Sequence, residues 1–385
     1  MTARWPGPPA MCALRVLSST VVLIALVLAP VASAAITSKT ERRIVAAVDR
    51  HTPASMDLLR RTVDINSGTM NPDGVREVGR IFGAEFEALG FKTRWVDGAA
   101  WGRAGHLVAM RPGKGSGPRV LLIGHLDTVF EKDSPFQRYE PLSDSTARGP
   151  GICDMKGGDA IMLLALRALK EAGALDRISV TAVLTGDEEK PGAPLELART
   201  DLIAAAGEAD VAIGFEDGDG DPRHAVIARR GNSGWVLRVS GTPAHSSQIF
   251  RADLGSGAVY EAARILTAFR DSLSIEPYLT VNPGMVVGGT TITFDPEASR
   301  GTAFGKTNVI AESTLVTGDL RTISLEQREG AKAIMRRIVT ASPAHAGAGI
   351  TFSDGYPPLA PSDGNRRLLA IYDRASRDLG LGPVE

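Results

Sequence analysis

Four short motifs carry the residues able to do chemistry. His125 and Asp127 sit two apart in Gly124-His125-Leu126-Asp127-Thr128-Val129, directly after the apolar run Leu121-Leu122-Ile123. An imidazole with a carboxylate close by suits a metal ligand whose partner fixes its tautomer and raises its basicity. Asp154 follows the glycine-rich approach Gly149-Pro150-Gly151 and precedes Met155-Lys156-Gly157-Gly158. Its plain alternative is to cap the next helix. Asp187-Glu188-Glu189 closes the run Val183-Leu184-Thr185-Gly186, and Glu216 follows Ile213-Gly214-Phe215. Each alone reads equally as a solvated loop acid. A His or acid beside several strand ends instead indicates one shared metal site, because strand ends are where α/β proteins build sites. Two divalent cations would reconcile the crowded charge, so that one Glu ligates while its neighbour handles protons.

The elements that must position these residues follow from hydrophobic spacing. Helices are predicted over 38–50, 54–65 and 74–89, and strands over 92–96, 106–111 and 119–124. A helix at 158–172, a strand at 178–184, a helix near 195–205 and a strand at 211–215 come next. The part of the 158–172 helix from 159 to 169 is apolar almost all round, which predicts burial against the sheet. This alternation predicts an α/β fold with a mostly parallel sheet flanked by helices. Past residue 230 the pattern becomes strand 234–240, helix 254–269, strands 280–287 and 308–319, helix 325–340 and strand 350–352. That βαββαβ order is ferredoxin-like. Residues 291–306 read as a loop, and a helix at 366–379 returns to the first unit. The expected division is 1–34, 35–228, 229–356 and 357–385.

Composition narrows the class. With 385 residues, 43% hydrophobic and a formal net charge of −1, the chain has room for about two domains and gives no support to nucleic-acid binding. Arg4 and Arg15, the apolar stretch 16–28 and Ala32-Ser33-Ala34 have the layout of an export signal cut after Ala34, so the expected location is periplasmic or secreted, without stable membrane anchoring. Cys153 is then the single cysteine of the mature chain and reads as a small buried filler. His51, His106, His224 and His345 match no motif and read as structural or exposed.

Taken together, the four motifs resemble the M20 metallopeptidases, nearest to their glutamate carboxypeptidase branch, over about Thr52 to the end of the chain. The resemblance implies two zinc ions: Asp154 bridging, His125 and Glu216 on one ion, Glu189 on the other. It implies that Asp127 orients His125, that Glu188 is the general base passing a proton from the attacking water to the leaving amine, and that the peptide after Asp154 is cis. Gly241-Thr242-Pro243-Ala244-His245-Ser246-Ser247 resembles the lid motif of the family. There His245 would stabilise an oxyanion across a homodimer formed through the inserted lid/dimerisation module, while Arg321 and Asn308 would contact the substrate's carboxylate end. The implied activity is release of a C-terminal amino acid, glutamate among the candidates, from peptides or N-acyl amino acids. One further histidine ligand of the family pattern would follow Gly382-Pro383-Val384-Glu385, so an incomplete sequence is expected. A non-catalytic, partly metallated binding protein is the alternative reading, and a calcium-binding scaffold a third.

Overall fold

A computed structural model describes residues 38–385, so the expected export signal lies outside the described residues. Among the described residues no helix is long and apolar enough to cross a membrane. Helix α1 (Lys39–Val63) opens on a capping box: the Ser38 hydroxyl accepts from the Glu41 amide at 3.1 Å, and the Ser38 amide donates to Glu41 Oε2 at 2.9 Å. The two opening helices expected from the sequence are thus one, with Pro53 inside it. Proline removes one intrahelical donor there. The buried stripe Ala47, Ser55, Leu58, Leu59 and Val63 runs through both halves and keeps them on one axis.

Helix α2 (Pro72–Ala88) starts on an Asn71 cap with proline in its first turn, where the missing N–H costs nothing. Then follow β1 (Lys92–Asp97), β2 (Gly105–Arg111), β3 (Arg119–His125), the short β4 (Glu140–Pro141) and β5 (Ala147–Arg148), α3 (Gly157–Glu171) and β6 (Ser179–Thr185). The helix expected near 195–205 is split into α4 (Leu195–Ala198) and α5 (Thr200–Glu208), and β7 (Val211–Gly214) completes this part.

The first sheet has the order β1-β2-β6-β3-β7. Only β6, β3 and β7 are parallel; β1–β2 and β2–β6 are antiparallel. The mostly parallel expectation therefore holds for half the sheet. The short turn at 98–104 lets β1 and β2 form a hairpin, which can only be antiparallel. Phe82, Phe86, Leu107, Leu122, Met162 and Leu163 fill the core between this sheet and its helices. Leu202 and Ala205 of α5 pack near Val108, Leu121 and Val183 in a smaller cluster. Helix α3 is not buried all round: Ile161 is exposed, whereas Asp159 is buried.

The second sheet contains β8 (Gly231–Gly241), β9 (Thr280–Gly289), β12 (Ser313–Thr322) and β13 (Ala346–Asp354), with α6 (Gly257–Leu273) and α7 (Leu325–Thr340) on one face. Its order, β13-β8-β12-β9, is fully antiparallel and ferredoxin-like. Trp235, Leu237, Ile265, Phe269, Val316 and Met335 form its core. Gly318 makes room for the indole, since a Cβ there would lie 2.2 Å from Trp235 Cζ2. Residues 291–306, expected to be a loop, include the hairpin β10 (Thr291–Asp295) and β11 (Arg300–Phe304). Alternation in Thr291-Ile292-Thr293-Phe294 is the strand signal that the sequence reading passed over. Helix α8 (Asp363–Asp378) follows, and Glu385 exchanges backbone hydrogen bonds of 2.9 Å with Arg223 and Ala225.

Candidate metal centre

Three parallel strands deliver the site. His125 ends β3 and pairs with Thr185, the last residue of β6; Ile123 pairs with Gly214, the last residue of β7. Two residues on from those strand ends come Asp187 and Glu216; continuing the register puts Glu216 level with His125 and Asp187 level with Asp127. Asp154 arrives from the other side, just before α3. A Cβ at Gly158 would lie 1.9 Å from Phe215 O, so glycine there lets the start of α3 abut the strand end that carries Glu216. The Asp154–Met155 peptide is cis, as the resemblance implies. Asp154 does not cap α3: the cap position is Lys156, with no side-chain cap bond.

His125 is 1% exposed. Its Nε2 lies 2.8 Å from Asp154 Oδ1 and 3.4 Å from Glu216 Oε2. One ligand atom from each of these three residues falls within 4.8 Å of the others, and this is the group able to hold a metal ion among the described residues. On the opposite ring edge, Nδ1 is 3.0 Å from the Asp127 main-chain carbonyl and 3.4 Å from its carboxylate. Asp127 thus meets the ring chiefly through its backbone. Its buried carboxylate is engaged elsewhere: Oδ2 accepts from the Thr69 hydroxyl at 2.6 Å and the Glu189 amide at 3.2 Å, and Oδ1 from the Glu188 amide at 3.0 Å.

Burial opposes the charge of His125, but Asp127, Asp154 and Glu216 outweigh it and raise the ring's pKa. Burial likewise opposes the Asp127 charge, yet His125, Thr69 and the Glu188 amide hold its pKa below the usual range. Asp154 is lowered, first by its bond to His125. Glu188 and Glu189 move the other way. Burial raises Glu188, with Glu216, Asp127 and Asp154 adding to the shift. Burial and the Asp154 charge push Glu189 up to about 7. Two carboxylates with raised pKa values beside a ring crowded by acids mark an excess of negative potential, which a divalent cation would relieve. One imidazole with carboxylates suits a zinc-type ion. The residues present therefore fit a metal.

Behind the site lie groups that motif reading missed. Asp159 is fully buried with both oxygens unpartnered, and burial raises its pKa well above the ordinary value. Lys156 is 0% exposed, and its Nζ donates to the carbonyls of Thr62 at 2.9 Å and Ile65 at 3.1 Å. Asp187, grouped by sequence with the metal-facing acids, is instead bound to Arg199 Nη1 at 2.6 Å. Thr69 and Arg199 carry no motif, and no sequence signal marks them. Cys153 is exposed rather than buried filler, while His106 is buried and stacked on Trp101.

The remaining expected residues do not join this group. The Glu189 carboxylate is not among the clustered ligand atoms. His245 is exposed, its Nδ1 2.9 Å from Ser247 Oγ, and it forms a β-bridge with Val309 beside Asn308. The Asn308 carbonyl accepts from the Ser246 amide at 2.9 Å. Arg321 sits at the other end of β12, bonded to Asp319 at 2.6 Å and paired with Asn232 and Thr280. From Ser313 to Arg321 the strand runs roughly 26 Å at about 3.3 Å per residue. Within one chain Arg321 and Asn308 are therefore not neighbours. Motif matching cannot show this, because it is blind to which end of a strand a residue occupies.

The chain is 26% identical over 368 residues to carboxypeptidase G2 of Pseudomonas sp. (strain RS-16), covering 94% of this chain and 83% of that protein. It is 34% identical over 212 residues to succinyl-diaminopimelate desuccinylase of Gluconacetobacter diazotrophicus, covering 52% of this chain and 54% of that one. With acetylornithine deacetylase of Myxococcus xanthus it shares 32% identity over 244 residues, 56% of this chain and 58% of the relative. The chain thus spans little more than half of these last two relatives. Among solved structures, aminopeptidase PepT from Bacillus cereus superposes with a TM-score of 0.65 at 20% identity, over 86% of this chain and 82% of that one. The M20 metallo-carboxypeptidase Sso-CP2 from Sulfolobus solfataricus gives 0.55 at 16% identity, over 86% and 84%. These two show a shared fold. The family described as peptidase family M20/M25/M40 matches residues 121–385, and the chain belongs to that family of metal-dependent hydrolases.

Proposed function

We propose that the chain is a zinc-dependent exopeptidase or amidohydrolase that releases a C-terminal amino acid, glutamate among the candidates, from peptides or N-acyl amino acids. The observation that carries this reading is the convergence of buried His125 with Asp154 and Glu216 beside Glu188, an acid whose pKa burial raises. Relatives named as a carboxypeptidase, a desuccinylase and a deacetylase support it. His125, Asp154 and Glu216 would hold one ion, and Asp154 with Glu189 a second. A divalent cation so held supplies Lewis-acid polarisation of the scissile carbonyl and lowers the pKa of a water.

The chain's own residues do the rest. Asp127 fixes the ring edge of His125 through its carbonyl, which leaves Nε2 facing the acids. Glu188, with its raised pKa, takes a proton from the attacking water and returns it to the leaving amine. Arg321 and Asn308, which lie apart within one chain, recognise the substrate carboxylate from different subunits of a homodimer; a guanidinium fork is suited to that contact. His245 serves as oxyanion donor in a homodimer formed through the second sheet.

The test is direct. Purified protein loaded with Zn²⁺ is given N-acyl amino acids, dipeptides and the same dipeptides amidated at the C-terminus. Hydrolysis of the free acids, abolished by a chelator and restored by zinc, is expected. Absence of turnover in the metal-loaded protein, or faster cleavage of the amidated peptides, overturns the reading.

A further inference from the structure

The acid-bearing loop after β6 is gripped from two sides. Facing the site, the Glu188 and Glu189 amides donate to the two oxygens of Asp127. On the far side, Asp187 is 0% exposed and Arg199 7% exposed. The Asp187 carboxylate accepts from Arg199 Nη1 at 2.6 Å and from the Gly192 amide at 2.9 Å. Arg199 Nη2 donates both to the Asp187 main-chain carbonyl at 3.0 Å and to the Tyr356 hydroxyl at 2.8 Å. The Tyr356 ring lies 5.9 Å from the guanidinium carbon. The carbonyl of Asp187 and the amide of Glu188 belong to one planar peptide unit. That unit is therefore clamped at both ends, its C=O by Arg199 and its N–H by Asp127.

Tyr356 does not belong to the first sheet. It follows β13, where the chain returns from the second sheet. Arg229 and Leu359 exchange backbone hydrogen bonds of 2.9 Å each way, the Gly355 amide donates to Asn232 O at 3.0 Å, and the Asn232 amide to Tyr356 O at 3.3 Å. Gly231 is needed beside this crossing, for a Cβ there would meet Pro358 N at 2.5 Å. The outgoing and returning segments thus form a two-stranded ribbon, and one side chain of that ribbon touches the guanidinium that holds the base loop.

We propose that Arg199 and Tyr356 are positioning residues for Glu188, transmitting the geometry of the ribbon between the two sheets to the peptide plane that orients the base. This rests on the role given to Glu188 above. Any rotation of the ribbon that withdraws the hydroxyl removes one of the two acceptors of Nη2. The guanidinium, a rigid fork, then shifts on the Asp187 carbonyl.

The experiment uses the full zinc-loaded chain and Tyr356→Phe, which keeps the ring and removes the hydroxyl. The expected outcome is a kcat lower by roughly tenfold, as for loss of one hydrogen bond to a charged group, with KM within about twofold and zinc content unchanged. Amide hydrogen exchange at Glu188 and Glu189 is expected to quicken. Arg199→Lys keeps the charge but cannot bridge both oxygens, so its kcat falls further, and the double variant is no worse than Arg199→Lys alone. Asn365→Ala, which cuts a different bond near the ribbon, to Ile227 O, leaves kcat unchanged. The proposal is overturned if Tyr356→Phe leaves kcat and exchange as they were, if the two losses multiply, or if only thermal stability falls while kcat per zinc-loaded molecule holds. Should the unsubstituted enzyme hydrolyse no amide, the functional reading fails separately, and the exchange measurement still decides the link.

Discussion

The two sheets treat their chemical residues in opposite ways. At the ends of β3 and β7, side chains from distant parts of the sequence converge within 4.8 Å around an imidazole that is 1% exposed. On the second sheet, His245 and Arg321 are exposed and belong to opposite ends of the strands. The first arrangement is set by strand register, which admits little variation once one face is buried. In the second, the side chains of His245 and Arg321 bond to sequence neighbours, Ser247 and Asp319, at separate ends of the sheet. A metal centre can be assembled from the ends of a single sheet; the substrate recognition proposed for Arg321 and Asn308 would need something to bring separate edges together.

That contrast can be broken most decisively at its centre. His125→Ala is expected to empty the seat formed with Asp154 and Glu216, seen as a lower zinc content by elemental analysis, and to lower kcat/KM on the order of 10³-fold or more. Retained zinc at full stoichiometry would show that the three-residue group is not the ion's seat. Next in size, Glu188→Gln should cost about 10²–10⁴-fold in kcat while zinc content stays the same. A parallel loss of metal would make Glu188 a ligand instead of a base.

On the second sheet the expected effects are smaller and fall on binding. Arg321→Ala should raise KM roughly tenfold to a hundredfold, the worth of a charged hydrogen bond, with kcat little altered. Equal KM values for substrates with and without a terminal carboxylate would remove Arg321 from recognition. The smallest effect concerns protons. Glu189 titrates at about 7 in the metal-free protein, above its ordinary 4.5. An acid with a raised pKa holds its proton below that value, so zinc affinity at this carboxylate should rise as pH increases through about 7. Binding at pH 6 should then release about one proton more than in Glu189→Gln, which calorimetry in buffers of different ionisation enthalpy reads out. Equal proton release would place Glu189 outside the metal's reach.

The first region was largely legible from sequence because its residues sit in short motifs at the ends of apolar runs, and a parallel sheet puts such ends side by side. What escaped was set by contacts between remote segments. Thr69 reaches Asp127 across 58 positions and Tyr356 reaches Arg199 across 157. Neither partner belongs to a motif. Asp187 looked like its acidic neighbours, and only the buried Arg199 separates its duty from theirs. In the fold, the hydrophobic stripe crossing Pro53 joined two predicted helices, because burial on both sides of the proline outweighed a single lost donor.

The ribbon that holds Arg229 against Leu359 has a consequence for how the molecule is assembled. Everything between those residues is an excursion whose ends already touch, and the cost of closing a loop grows only with the logarithm of its length. Swapping residues 230–358 for a few flexible residues asks the first sheet to change no register and no core contact of its own. The first sheet is thus a candidate miniature that keeps His125, Asp154 and Glu216 but loses the Tyr356 grip on Arg199, and the excursion a cassette that can be lengthened, exchanged or tethered without redrawing the strands beneath it.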